Sequence, residues 1–218
     1  MKIVSFGNYR YKRVAHNWAL YLQRHKIENY TIYSLDQEIY DYLCKNNVNT
    51  ELLSLNIFEG EKWDWKERFR CIYNLLKKDI NVLHSDLDAI WLKDPLDFIG
   101  NNDDVVSSTG TFPPDVYKDV GYALCMGWIF YRSSANVKNL FSKILKPPFT
   151  RDPFDDQIEF NREIFNGKWQ NLKLKTLDQS IISRGQPHDV NTYVAHPTSP
   201  KHIDREEMLK SKNLWILD

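Results

Sequence analysis

The chain has 218 residues, with 29 basic and 29 acidic side chains, so its formal charge at neutral pH is zero. That balance excludes a general attraction to nucleic acid or anionic lipid, and any anionic ligand must be gripped by local charges or a metal. The length and the 42% apolar fraction suit one domain with one sizeable core.

Cys44, Cys71 and Cys125 form neither a CxxC pair nor a zinc pattern, which points to a reducing compartment with each thiol a small core residue. The N-terminal apolar run stops at Gly7-Asn8, too short for a signal peptide, and no stretch approaches bilayer-spanning length. A cytoplasmic location without a membrane span is therefore the expectation. The chain is also rich in rings, with seven Trp and twelve Tyr, which serve a core or line a sugar- and base-stacking cleft.

Lys2 to Phe6 reads as a buried strand. Tyr11, Val14, Ala15, Trp18 and Leu22 then recur at helical spacing. Tyr30 to Ser34 is a second strand, Glu38 to Lys45 a helix, and Leu52 to Leu55 a third strand. A loop over 58–65 carries Trp63 and Trp65. Phe69, Ile72, Tyr73 and Leu76 predict a helix, with Lys77 and Lys78 suiting its C-terminal dipole. Ile80 to His84 is a fourth strand. This alternation predicts a mostly parallel sheet with helices on both faces. Ligands of such sheets sit beyond the carboxyl ends of the strands, where Asn8, Asp36 and Asp86 fall.

The second half is less regular. Val105 to Ser108 and Ala123 to Tyr131 read as strands around a loop at Phe112-Pro113-Pro114. Ser134 to Leu145 is a helix that Pro147-Pro148 ends. Asp155 to Phe165 is another helix, Leu172 to Thr176 and Tyr193 to His196 are short strands, and Asp204 caps a last helix running to Lys212. Neither repeats nor a linker divide the chain. The expectation is a single α/β domain over 1–218, in two halves, 1–95 and 96–218, with a mostly parallel central sheet and a smaller mixed C-terminal part.

The segment that carries chemistry is His84-Ser85-Asp86-Leu87-Asp88-Ala89-Ile90-Trp91-Leu92-Lys93-Asp94-Pro95. Two carboxylates one residue apart follow an apolar strand. In an extended chain they point to opposite faces, so that one binds a cation and the other a sugar or ribose hydroxyl. Their hard oxygens suit Mg²⁺ or Mn²⁺.

This string resembles the DxD signature of the nucleotide-diphospho-sugar transferase family, where strand, Asp-x-Asp, an apolar-Trp-apolar run and Asp-Pro recur in that order. Asn17-Trp18, Arg68, Met126-Gly127-Trp128 with Arg132, Asp156-Gln157 with Asn161, His196, and Leu214-Trp215 each resemble a further piece of the family pattern. Small virus-encoded members, such as those of chlorella viruses, are similar in length. The chain departs from the family where Cys125-Met126 precede Gly127 and Pro197-Thr198-Ser199 follow His196.

The resemblance implies a GT-A (Rossmann-like) fold and transfer of a sugar, from a UDP-sugar in the first instance, to a hydroxyl of a glycan or glycoprotein. It implies Asp88 and His196 as ligands of Mn²⁺ or Mg²⁺, and Asp86 closer to ribose or donor sugar. Asn8, Tyr9 and Asp36 are implied at the nucleoside end, Arg68 at ribose or phosphate, and Gly127 beside the donor. Asp156 and Gln157 are implied at the reacting centre. The competing readings are a metal-dependent phosphohydrolase, which generally needs a second cluster of acids, and a non-catalytic nucleotide-sugar or carbohydrate-binding module.

Overall fold

The structure is a computed structural model that describes residues 1–53, 65–146, 154–167, 169, 171–198 and 204–218. The expected loop with Trp63, the end of the third strand at Leu55 and the helix stop at Pro147-Pro148 lie outside these residues.

Two compact units interleave along the chain. One comprises Met1, Ile57–His84 and Ile99–Leu177, and the other Lys2–Asn56, Ser85–Phe98 and Asp178–Asp218. The second unit opens with β1 (Lys2–Gly7), α1 (Lys12–Arg24), β2 (Tyr30–Ser34), α2 (Gln37–Lys45) and β3 (Thr50–Leu52). The first unit carries α3 (Trp65–Lys77) and β4 (Val82–Ser85), which ends at the boundary between the units. β5 (Ile90–Trp91) belongs to the second unit. The first unit resumes with β6 (Val105–Gly110), α4 (Pro114–Val120), β7 (Ala123–Tyr131), α5 (Ala135–Ile144), α6 (Asp156–Asn166) and β8 (Leu174–Leu177). β9 (Ile182–Arg184), β10 (Val194–His196) and α7 (Arg205–Ser211) complete the second.

Strands order β3-β2-β1 in the second unit and β4-β7-β6-β8 in the first, and most of the pairings described within these units are parallel. The pairs β1–β2, β2–β3 and β6–β8 are parallel, and β6–β7 is antiparallel. All nine residues of β7 are buried, so its continuous apolar run reads as a strand covered on both faces. A separate three-stranded sheet, β5-β10-β9, joins distant segments of the second unit.

Several elements differ from the sequence reading. β3 begins at Thr50, whose hydroxyl donates to Ile32 O at 2.8 Å and lies 2.7 Å from Ser34 Oγ. Hydroxyl pairing therefore sets that strand, while Leu52 is exposed. The expected Pro-rich loop contains α4, because Pro114 fits the first helical position and Gly121, at φ +86°, ends the helix in the left-handed region. β5 and β9 were not expected. Cys44 is exposed and Cys71 half-buried, so only Cys125 is the small core residue anticipated for all three. Among the described residues, no helix is long and apolar enough to cross a membrane.

Candidate functional site

The chain just before Asp86 is pinned by two indoles. Trp18 and Trp91 donate from Nε1 to Ser85 Oγ at 3.4 and 3.1 Å, and all three side chains are inaccessible to solvent. After Ser85 the backbone leaves the strand and turns, with Ala89 N donating to Asp86 O at 3.0 Å. The turn corrects the extended-chain expectation. Leu87 is buried against Gly7, where an added Cβ would lie 2.7 Å from the Leu87 Cδ1. Asp86 and Asp88 do not part to opposite faces. They converge with His196, and the ligand atoms of the three residues all lie within 4.8 Å of one another.

His196 arrives from 108 residues along the chain because β10 pairs with β5 through Ala195↔Ile90 and Val194↔Trp91. Its Nε2 lies 3.3 Å from Asp88 Oδ1 and 3.7 Å from Asp86 Oδ2. His196 is 3% exposed, the Asp88 side chain 11% and that of Asp86 33%. Two further cations attend the cluster. Arg205 Nε lies 3.0 Å from Asp88 Oδ2, and its N–H makes no aligned hydrogen bond among the described residues. Arg184 Nη1 lies 3.0 Å from His196 Nε2 and 3.4 Å from Nδ1. Being close to both ring nitrogens at once, this guanidinium nitrogen stands over the imidazole face.

Protonated on Nε2, the ring donates to the carboxylates; with a lone pair there, it joins them as a third ligand for a divalent cation. Ligands about 2.1 Å from one ion lie at most ~4.2 Å apart, so the set is within a few tenths of an ångström of closing on one. The donor chemistry, two carboxylates and one imidazole, fits Mn²⁺ or Mg²⁺. Beside it, a pocket of ≈ 210 Å³ runs along His196, Thr198, Gln186, His188 and Lys212 and gives room for a polar ligand.

Asp36 caps α2. One carboxylate oxygen accepts from Ile39 N at 2.9 Å and the other from Tyr9 N at 2.8 Å. Two of the three expected nucleoside residues, Tyr9 and Asp36, are thus brought together, with one carboxylate oxygen spent on the cap and the other on Tyr9 N. Among the described residues, neighbouring Asn8 has its side-chain oxygen buried without a partner, a cost that a bound donor group would relieve. Tyr9 is exposed, with Lys12 Nζ 3.9 Å from its ring centroid.

Arg68 and Asp156 meet in the first unit. Arg68 is 5% and Asp156 3% exposed, and Arg68 Nε donates to Asp156 Oδ2 at 2.7 Å. Arg68 Nη1 lies 3.1 Å from His84 Nε2, which therefore accepts. Arg68 is thus a buried, paired cation. Its sequence neighbour Glu67 pairs with Arg70. The Gln157 amide is also held, its oxygen accepting from Met126 N at 3.2 Å and its nitrogen donating to Phe112 O at 2.8 Å. Gly127 sits within the buried strand β7, next to that contact. Asn161 accepts from Leu124 N at 2.6 Å and donates to Leu124 O at 2.9 Å, so it ties α6 to β7. Asn17 plays the equivalent role in the second unit, donating to Leu214 O at 3.0 Å and accepting from Ile216 N at 2.7 Å.

Arg184 and Arg205 were missed from the sequence. Each is a single cation at the edge of a short element, and no local pattern links either to Asp88 or His196.

A family model described as nucleotide-diphospho-sugar transferase matches residues 25–205. The arabinosyltransferase XEG113 of Arabidopsis thaliana is 23% identical over 86% of this chain and 34% of its own length. The UDP-D-xylose:L-fucose alpha-1,3-D-xylosyltransferase 3 of the same plant is 27% identical over 67% of this chain and 45% of its own. The chain therefore spans between a third and a half of these curated relatives. Among solved structures, the galactosyltransferase LgtC in complex with donor and acceptor sugar analogues covers all of this chain and 97% of its own, at 14% identity and TM-score 0.61. A glycosyltransferase involved in glycosylation of the major capsid of PBCV-1 covers 97% of this chain and 100% of its own, at 12% identity and TM-score 0.57. The fold is the GT-A fold of these glycosyltransferases, and with most of its length matched the chain belongs to the nucleotide-diphospho-sugar transferase family.

Proposed function

We propose that the chain transfers a sugar from a UDP-sugar to a hydroxyl of a glycan or glycoprotein, with a divalent cation held by Asp86, Asp88 and His196. The observation that carries this reading is the convergence of those three residues within 4.8 Å. The family supplies the nucleotide-sugar chemistry, and the name of one relative specifies UDP-D-xylose. The sequence contains no Gly-rich phosphate loop, so the diphosphate needs another positive partner.

Cleavage of the bond between the sugar C1 and the diphosphate gives an oxocarbenium-like transition state and a leaving group that gains negative charge. The cation, when bound, supplies Lewis-acid stabilisation of that charge. The chain's own residues do the positioning. Asp88 and His196, the more buried ligands, fix the site. Asp86, a third exposed, also faces ribose or donor sugar. Asn8 and Tyr9 hold the nucleoside end, with Asp36 orienting the Tyr9 backbone.

Asp156 is already committed to Arg68, so in this reading it holds α6 and Gln157 in place rather than serving as a free base.

The test is calorimetric titration with UDP in Mn²⁺ and in EDTA, alongside an assay of UDP release from UDP-sugars. Tighter binding with Mn²⁺, and UDP release that Asp88→Asn abolishes, is the expected result. Equal affinity in EDTA would overturn the reading.

A further inference from the structure

Both missed arginines address ligand atoms of the cluster. Arg205 lies 3.0 Å from Asp88 Oδ2, and Arg184 lies 3.0 Å from His196 Nε2. Arg184 Nη1 is close to both ring nitrogens, so it stands over the imidazole face, and a cation coordinated by that ring would face its positive charge. We propose that Arg184 and Arg205 are an exchangeable counter-ion pair. They neutralise the cluster when no divalent cation is bound, and they turn to the donor diphosphate when a cation takes Asp88 and His196. This inference rests on the metal reading of Asp86, Asp88 and His196.

Charge supports the exchange. Two carboxylates and two guanidiniums balance. A divalent cation added alone leaves an excess of two positive charges in a partly buried site, where repulsion is weakly screened. A diphosphate removes that excess, and the planar guanidinium fork suits phosphate oxygens in two-point contact. Release of Arg205 is inexpensive, since a third of its side chain is exposed and its Nε–H is not aligned on the carboxylate. The arrangement therefore makes the cation bind weakly alone and tightly with the diphosphate, which couples metal binding to donor binding. By linkage the coupling is reciprocal.

The experiment titrates Mn²⁺ alone, followed by electron paramagnetic resonance, and then UDP in saturating Mn²⁺, followed by calorimetry. Wild type is compared with Arg205→Gln, Arg205→Lys, Arg184→Gln and Asp88→Asn, each checked by thermal melting. Arg205→Gln should bind Mn²⁺ alone about three- to tenfold more tightly, the scale of losing one partly exposed ion pair. It should bind UDP in Mn²⁺ more weakly, so the coupling between the two ligands falls. Arg205→Lys should lie between, and Arg184→Gln should shift both affinities in the same directions should the first variant melt early. A merely structural arginine would not move the two affinities in opposite directions. Wild-type Mn²⁺ binding that Asp88→Asn abolishes but neither arginine variant changes would overturn the exchange while leaving the metal site standing. No Mn²⁺ binding by wild type, even with UDP, would overturn both.

Discussion

Replacing Asp156 with Asn separates a positioning role from a free catalytic base. Arg68 and Asp156 are 5% and 3% exposed, so the substitution strands a buried guanidinium. Breaking a buried pair by removing one partner costs about 3–5 kcal/mol. Two features of the site place this case at the lower end. Arg68 keeps His84 Nε2 at 3.1 Å, and its guanidinium carbon lies 4.4 Å from the centre of the Trp65 ring. The expected loss is therefore about 3 kcal/mol, which for a chain of this size lowers Tm by about 6–12 °C. The assay is urea unfolding followed by circular dichroism, on Asp156→Asn, Arg68→Met and the double variant Arg68→Met/Asp156→Leu. The double variant should recover most of the loss, because well-packed apolar groups commonly replace such a pair at little cost. Asp156→Asn within about 1 kcal/mol of wild type, with UDP release abolished, would refute the positioning argument and restore Asp156 as a catalytic base.

Asp36→Ala should cost about 1 kcal/mol in urea unfolding through loss of the α2 cap. It should also weaken UDP binding by calorimetry, because Tyr9 N loses its acceptor. Asn17→Ala removes bonds to Leu214 O and Ile216 N at a fully buried position, and should lower stability by about 2–3 kcal/mol in the same unfolding assay. His196→Ala should abolish Mn²⁺ binding measured by paramagnetic resonance while shifting Tm by less than Asp156→Asn does. Glu206 should contribute to acid unfolding. Burial pushes its carboxyl up, but hydrogen bonds from Arg13 and Lys210 outweigh that and hold it below its ordinary value. Its share of stability is thus full above the unfolded pKa, about 4.3, and is lost as pH falls through the lower folded value. Glu206→Gln should flatten the acid limb of Tm against pH below about 4.3.

The elements legible from residue pattern alone are those whose burial is regular. β7 is buried at all nine positions and α3 repeats its apolar residues on one face, so periodicity finds both. β5 and β9 escape because they have two and three residues and exist only through pairing with β10. No window centred on Ile90 or Ile182 contains that partner. α4 escapes for a different reason. Two adjacent prolines read as a break, although the second of them is a favourable first helical residue. At β3 the reading followed the apolar side chains of Leu52 and beyond, whereas the strand is placed by the Thr50 hydroxyl.

The site divides along the same physical line. Asp86 and Asp88 are found because strand, acids and apolar run are contiguous, and His196 is reached only by resemblance. The turn that converges the two acids has a local cause, since Leu87 is drawn down against Gly7 and the flanking carboxylates are lifted to one side. An alternation rule for extended chain gives the opposite answer because it assumes the strand continues through Asp88. The arginines have no such cause. Arg184 is placed by the register Arg184↔His196 between β9 and β10, and Arg205 by α7, which Glu206 fastens to Arg13 of α1 at 2.9 Å. Cations placed by tertiary contacts leave no local trace, whereas acids on a sharp turn do. In the exchange proposed above, Arg184 and Arg205 would therefore set the Mn²⁺ response as much as Asp86 and Asp88.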